Sequence, residues 1–128
     1  MPIIIKEYLK KNSMKLKGDD TMLIHTEEIG TITIATYVTD ESYYQYHGNV
    51  GDNEIEEKIE SGQLECFEVK VSACIDDIEI ASEYLGCCVY ENYIDFVTAN
   101  DYYSDMKKDV LLKCKTLADQ LLISIKEL

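Results

Sequence analysis

The chain has 128 residues, 25 of them Asp or Glu against 12 Lys and no Arg, for a net charge of −13. A single domain of that length can bury a real core, and an apolar fraction of 46% places the chain among globular rather than disordered proteins. The charge argues against nucleic acid and anionic membrane as direct partners, and the missing guanidinium removes the donor best suited to phosphate or carboxylate recognition.

The charges are segregated along the chain. Residues 1–18 carry five lysines against Glu7, a net of +4. From Asp19 to Ser104, twenty acids face only Lys58 and Lys70, a net of −18. From Asp105 onward five lysines balance four acids, a net of +1. The chain reads as one domain, 1–128, with 1–18 as a basic N-terminal extension. Met14 and Met22 are alternative starts, and residues 3–12 read as a helix, with a first strand as the alternative. No apolar run approaches the roughly 20 residues that span a bilayer. The first residues show no basic leader and no cleavage site. Five cysteines, an odd number, fit reduced thiols better than a disulfide framework. The expected location is therefore the cytoplasm of a bacterium or of a phage-infected host.

Met22 to Thr26 and Thr31 to Val38 alternate and are β-branched, which predicts two strands paired across Glu27 to Gly30. Asp40 to Asn53 reads as a loop, and Glu54 to Ser61 as a short acidic helix stopped by Gly62. Phe67 to Ile75 alternates over nine positions and resumes at Ile78 to Ser82, predicting a hairpin across Asp76-Asp77 in which Ile75 faces Ile78 and Ala73 faces Ile80. Asp-Asp is a poorer tight turn than Asp-Gly, so a longer loop is an alternative there. Finally, Asn100 or Asp101 caps a helix running to about Lys126. Its apolar stripe is Met106, Val110, Cys114, Leu117, Leu121 and Ile125, widened by Leu111, Ala118 and Leu122. Leu117 and Leu121, in mid-stripe, are expected to be buried. The sum is an α+β fold, an antiparallel sheet of about four strands packed on a long C-terminal helix.

Chemical constellations are sparse. Cys87-Cys88 lacks the spacing of a metal pair; two small residues after a strand, one buried and one not, is the simpler reading. His25 reads as a half-exposed sheet residue. His47 closes the run Ser42 to Asn49 with Tyr43, Tyr44 and Tyr46, but no nucleophile, base and orienting group stand together there. The acidic runs lack the spacing of a calcium loop, and no glycine loop suits a phosphate. No catalytic residue, metal site or cofactor is therefore expected. Ten tyrosines are the other unusual count. They keep company with carboxylates (Asp40, Glu41, Glu83, Glu91, Asp95, Asp101) and not with lysines, a pairing suited to a basic protein surface.

The segment Val69 to Phe96, with Val69-Lys70-Val71, Asp76-Asp77-Ile78-Glu79, Tyr84-Leu85-Gly86-Cys87-Cys88 and Tyr93 to Phe96, followed by Tyr102 to Met106, resembles small uncharacterised proteins of phages and mobile elements. In size, acidity and tyrosine content the chain is similar to anti-CRISPR proteins, which share no common fold. Several of these present carboxylates where an effector expects nucleic-acid phosphate. The resemblance implies a non-catalytic inhibitor of a basic, nucleic-acid-handling host defence protein. The expected contact residues are Asp40, Glu41, Tyr43, Tyr44 and Tyr46, then Glu54, Glu56, Glu57 and Glu60. Two alternatives stay open: a small-ligand or enzymatic domain using the Tyr43–His47 loop, and a homo-oligomeric structural protein, a homodimer pairing through the C-terminal helix or an uncovered sheet edge.

Overall fold

The computed structural model describes residues 21–41 and 53–128. The expected helix over 3–12 and most of the loop after Asp40 lie outside the described residues. Four strands form one antiparallel meander: β1 (Thr21–Ile29), β2 (Ile32–Asp40), β3 (Glu65–Ile75) and β4 (Ile78–Tyr90), in the order β1-β2-β3-β4. Helix α1 (Asn53–Glu60) lies between β2 and β3, and α2 (Asp95–Ala99) and α3 (Tyr103–Lys126) follow β4. The α+β reading holds, with α3 packed on the sheet.

The first hairpin turns more tightly than the sequence suggested, and the second turns at Asp76-Asp77 as expected. Glu27 and Glu28 are paired strand residues, opposite Ile34 and Thr33, and the chain reverses at Gly30-Thr31. Gly30 takes φ +62°, the left-handed conformation a two-residue hairpin asks of its first turn residue. Between β3 and β4, Asp76 and Asp77 form the whole turn at φ 50° and 66°. Short polar side chains tolerate that region better than most, but less well than glycine. Ile75 pairs with Ile78 as expected. Ala73, however, pairs with Ala81 and Cys74 with Glu79, so Ile80 is the extra residue of a bulge.

The pleat puts Ile34, Thr36, Val38, Phe67, Val69, Val71, Ala73 and Cys88 on one face. There Phe96 of α2 and Tyr103, Met106, Val110 and Cys114 of α3 complete the core. Asn100 ends α2 in the left-handed conformation. Its side-chain oxygen then accepts the Ser104 amide at 2.9 Å and the Ser104 hydroxyl at 3.0 Å, tying down the start of α3. Lys107 Nζ donates to Glu27 Oε2 at 2.8 Å on one side of the helix. Lys113 Nζ holds the Ser82 carbonyl at 3.0 Å and Glu83 Oε1 at 2.8 Å on the other.

Past Cys114 the helix is no longer buried against the sheet. Leu117 is 45% and Leu121 61% exposed, which corrects the expectation that both are buried. The apolar stripe continues without interruption; its support does not. No helix among the described residues is long and apolar enough to cross a membrane.

Two substitutions separate core from overhang. Phe67→Ala, at a fully buried position, is expected to lower unfolding free energy by about 3–5 kcal/mol. Leu121→Ala, measured at low protein concentration, should change it by no more than about 0.5 kcal/mol. Urea unfolding followed by circular dichroism reads both, and a loss at Leu121 as large as at Phe67 contradicts the overhang. At the β3–β4 turn, Asp77→Gly removes left-handed strain and one of two adjacent like charges. It should raise stability by roughly 0.5–1 kcal/mol in the same assay.

Candidate functional site

The meander brings distant chain segments to one end of the sheet. These are the end of β2, the start of β3, and the end of β4 with the residues after it. Asp40 pairs with Phe67, and Glu65 pairs with Tyr90. The Glu41 amide extends the ladder by donating to the Cys66 carbonyl at 2.9 Å. Seven carboxylates belong to these segments: Asp40, Glu41, Glu65, Glu68, Glu91, Asp95 and Asp101.

Three tyrosines stand among them. Tyr93 sets its ring edge-on to Phe67, with centroids 5.1 Å apart, and donates its hydroxyl to Asp40 Oδ1 at 2.6 Å, with Glu65 Oε2 at 3.4 Å. Tyr90 lies between Phe67 and Phe96, at 6.0 and 5.9 Å, and donates to Asp101 Oδ2 at 3.2 Å. Each ring is anchored in the core and its hydroxyl orients a carboxylate outside it. Burial, then the hydrogen-bonded Asp101, pushes the Tyr90 phenol up to about 12. Burial, then Asp40, raises Tyr93 as well. Both are therefore neutral donors at any ordinary pH. Tyr102, 54% exposed, borders a shallow cavity of about 340 Å³ with Gly86, Cys87, Tyr90 and Asp101.

Glu41 is the unusual member. Both its carboxylate oxygens are enclosed, and neither has a hydrogen-bond partner among the described residues. Cys66 and Cys88 lie close by. Burial first, then Cys87 and Glu41, pushes each thiol up to about 12. A carboxylate enclosed without a partner is costly, and a cation brought to it recovers that cost. Cys87 itself sits at φ 54°, at the irregularity between Leu85 and Cys88. None of the five cysteines forms a disulfide; three are buried and two half-buried, and Cys88 is the buried member of the adjacent pair.

Four of the described lysines are engaged elsewhere. Lys58 pairs with Glu54 at 3.5 Å, and Lys70 with Glu79 at 2.6 Å. Lys70 lies on the other face of the sheet in a cross-strand row with Tyr37 and Tyr84, its Nζ 5.9 and 5.7 Å from their ring centroids. Burial alone would lower its pKa, but the hydrogen bond and charge of Glu79 outweigh burial and raise it. Lys107 and Lys113 hold α3 to Glu27 and Glu83. His25 is half-buried as expected. Its ring meets Tyr103 edge-on at 5.8 Å, Glu27 lies 3.9 Å from Nε2, and burial lowers its pKa. Among the described residues, none of the seven carboxylates at the β2–β3–β4 end has an ion-pair partner.

Of the residues singled out from sequence, Asp40 and Glu41 stand at the centre of this end. Tyr43, Tyr44, Tyr46 and His47 lie outside the described residues. Glu54, Glu57 and Glu60 are exposed on α1 and Glu56 is half-buried there. The chain leaves α1 through Gln63 and Leu64, whose amides both donate to the Lys58 carbonyl, and enters β3 at Glu65. Among the described contacts, no hydrogen bond or ion pair joins the α1 acids to Asp40 or Glu41. Sequence reasoning did not single out Glu65, Tyr90, Tyr93 and Asp101 as site residues. Their one signal was the recurrence of Tyr beside Asp or Glu after residue 83. No three His, Cys, Asp or Glu side chains among the described residues are placed to hold a metal ion. Protein-family models, curated proteins and solved structures yield no match to the chain.

Alkaline pH should loosen this end. Cys66, Cys88, Tyr90 and Tyr93 all keep their protons more tightly in the folded chain. Their contribution is intact below the ordinary values of 9.0 for the thiols and 10.0 for the phenols. It is lost as pH rises towards about 12. The urea midpoint is thus expected to fall steadily above about pH 9. A midpoint unchanged through that range would contradict the burial of these groups.

Proposed function

We propose that this chain is a non-catalytic module that binds the lysine- and arginine-rich surface of a protein that handles nucleic acid, using the acidic end of its sheet. The observation that carries the reading is the convergence of seven carboxylates with three tyrosines, without a described counter-cation, around the enclosed and unpartnered Glu41. Carboxylates held by neutral phenols are fixed in position before the partner arrives, which lowers the ordering penalty of binding. Long-range attraction speeds the encounter, and desolvated rings such as Tyr102 supply holding energy. A groove built for phosphate offers the complementary array of cations. The similarity in composition to anti-CRISPR proteins supports a host defence effector as the owner of that groove.

The test is competition. The chain is immobilised and its partners are recovered from extract of its native cell at low salt. They are expected to be basic nucleic-acid-binding proteins that added nucleic acid displaces. Their recovery should fall steeply as salt shortens the Debye length below about 8 Å. The variant Asp40→Asn, Glu41→Gln, Glu65→Gln, Asp101→Asn should lose them while keeping its circular dichroism spectrum. Equal recovery by that variant, or partners indifferent to competing nucleic acid, would overturn the proposal.

A further inference from the structure

We infer that the chain forms a reversible homodimer in which the last three turns of α3 pack antiparallel on the same turns of a second copy. The inference rests on the overhanging helix and is independent of the acidic end. Beyond Cys114, Leu117, Leu121, Leu122, Ile125 and Leu128 are 45%, 61%, 56%, 54% and 103% exposed. They continue the spacing that buries Met106, Val110 and Cys114 on the sheet, so the same stripe is core in its first half and surface in its second. Beside it, between α3 and β4, an apolar groove of about 570 Å³ is lined by Ile80, Ala81, Leu112, Leu117 and Gln120.

The charge admits a second copy as the occupant. The stretch from Asp19 to Ser104 carries −18, whereas the chain from Asp105 onward carries +1, so a second copy meets little repulsion along the helix. The stripe is also complementary to itself. A two-fold axis through Leu121 sets Leu121 on its own copy and Leu117 level with Ile125 of the second helix. The same axis brings Leu128 of one copy level with Cys114 of the other, where the sheet begins and the groove opens. Leu117, Leu121, Leu122, Ile125 and Leu128 bury on the order of 100 Å² each. The total is roughly 1,000 Å² for the pair, below the usual size of stable interfaces, and so a dimer that dissociates on dilution.

Sedimentation equilibrium of the full chain from about 1 to 500 µM should show one reversible monomer–dimer equilibrium with Kd in the micromolar range. Leu121→Glu sets like charges against each other at the axis and should weaken it at least ~100-fold. Leu121→Met should stay within a few-fold. Circular dichroism should be the same for all, since none of these side chains is core. A monomer at every concentration overturns the inference. Hydrogen exchange then reads what covers the stripe: protected amides assign it to residues 1–20 of the same chain, and unprotected ones leave it bare. A dimer indifferent to Leu121→Glu places the interface elsewhere and equally overturns it.

Discussion

Helix α3 is longer than the strand left beneath it, and most of the molecule's surface character follows from that mismatch. Tyr103 starts the helix against His25, level with Thr36 in the middle of β2. From Thr36 to the turn end of β2 the strand rises about 13 Å. From Tyr103 to Cys114 the helix rises about 16 Å, which uses up that length. The remaining twelve residues add about 18 Å and are not buried against the sheet. Lys107 and Lys113 fix the helix from both sides, to Glu27 at 2.8 Å and to Glu83 at 2.8 Å, so it neither slides back over the sheet nor rolls its stripe away.

The same two lysines explain why the acidic end stays acidic. Four of the lysines that face the sheet or α1 are engaged, Lys58 with Glu54, Lys70 with Glu79, Lys107 with Glu27 and Lys113 with Glu83. Three of these pairs lie between middle and turn end of the sheet. Exposed pairs of this kind contribute little to stability. Their larger effect is on the distribution of charge. They neutralise one region and leave Asp40, Glu65 and Asp101 to the tyrosines, which can orient a carboxylate but cannot neutralise it.

What the sequence reveals and what it conceals both have physical reasons. Alternation identifies β3 and the pairing of Ile75 with Ile78, because a strand with one buried face must alternate. It does not reveal the bulge at Ile80, since Ile80 and Ala81 are both apolar and either suits the inner face. Glu27 and Glu28 look like turn residues. Glu27 becomes a strand residue through a salt bridge to a lysine eighty positions later, a contact that local pattern cannot carry. The stripe of α3 is plain in its spacing, but periodicity says only which face is apolar and nothing about how far its cover extends. Asp40 and Glu41 stand out by composition. Glu65 and Tyr93 do not, because their meeting with Asp40 depends on where three strands end.

The two unusual surfaces lie at opposite ends of β4. The groove beside α3 begins at Ile80 to Ser82, next to the Asp76-Asp77 turn, and the tyrosine–carboxylate group ends the strand at Tyr90. Eight residues of strand, about 27 Å, separate Ser82 from Tyr90, more than three Debye lengths at physiological salt. Over that distance the acidic end exerts little repulsion on whatever meets the helix. A chain with net charge −13 can therefore carry an apolar stripe on its near-neutral C-terminal segment. In a pair joined through α3 the two acidic ends point away from the interface. Each stays free for a cationic partner, and a partner with two basic sites would be held by both at once.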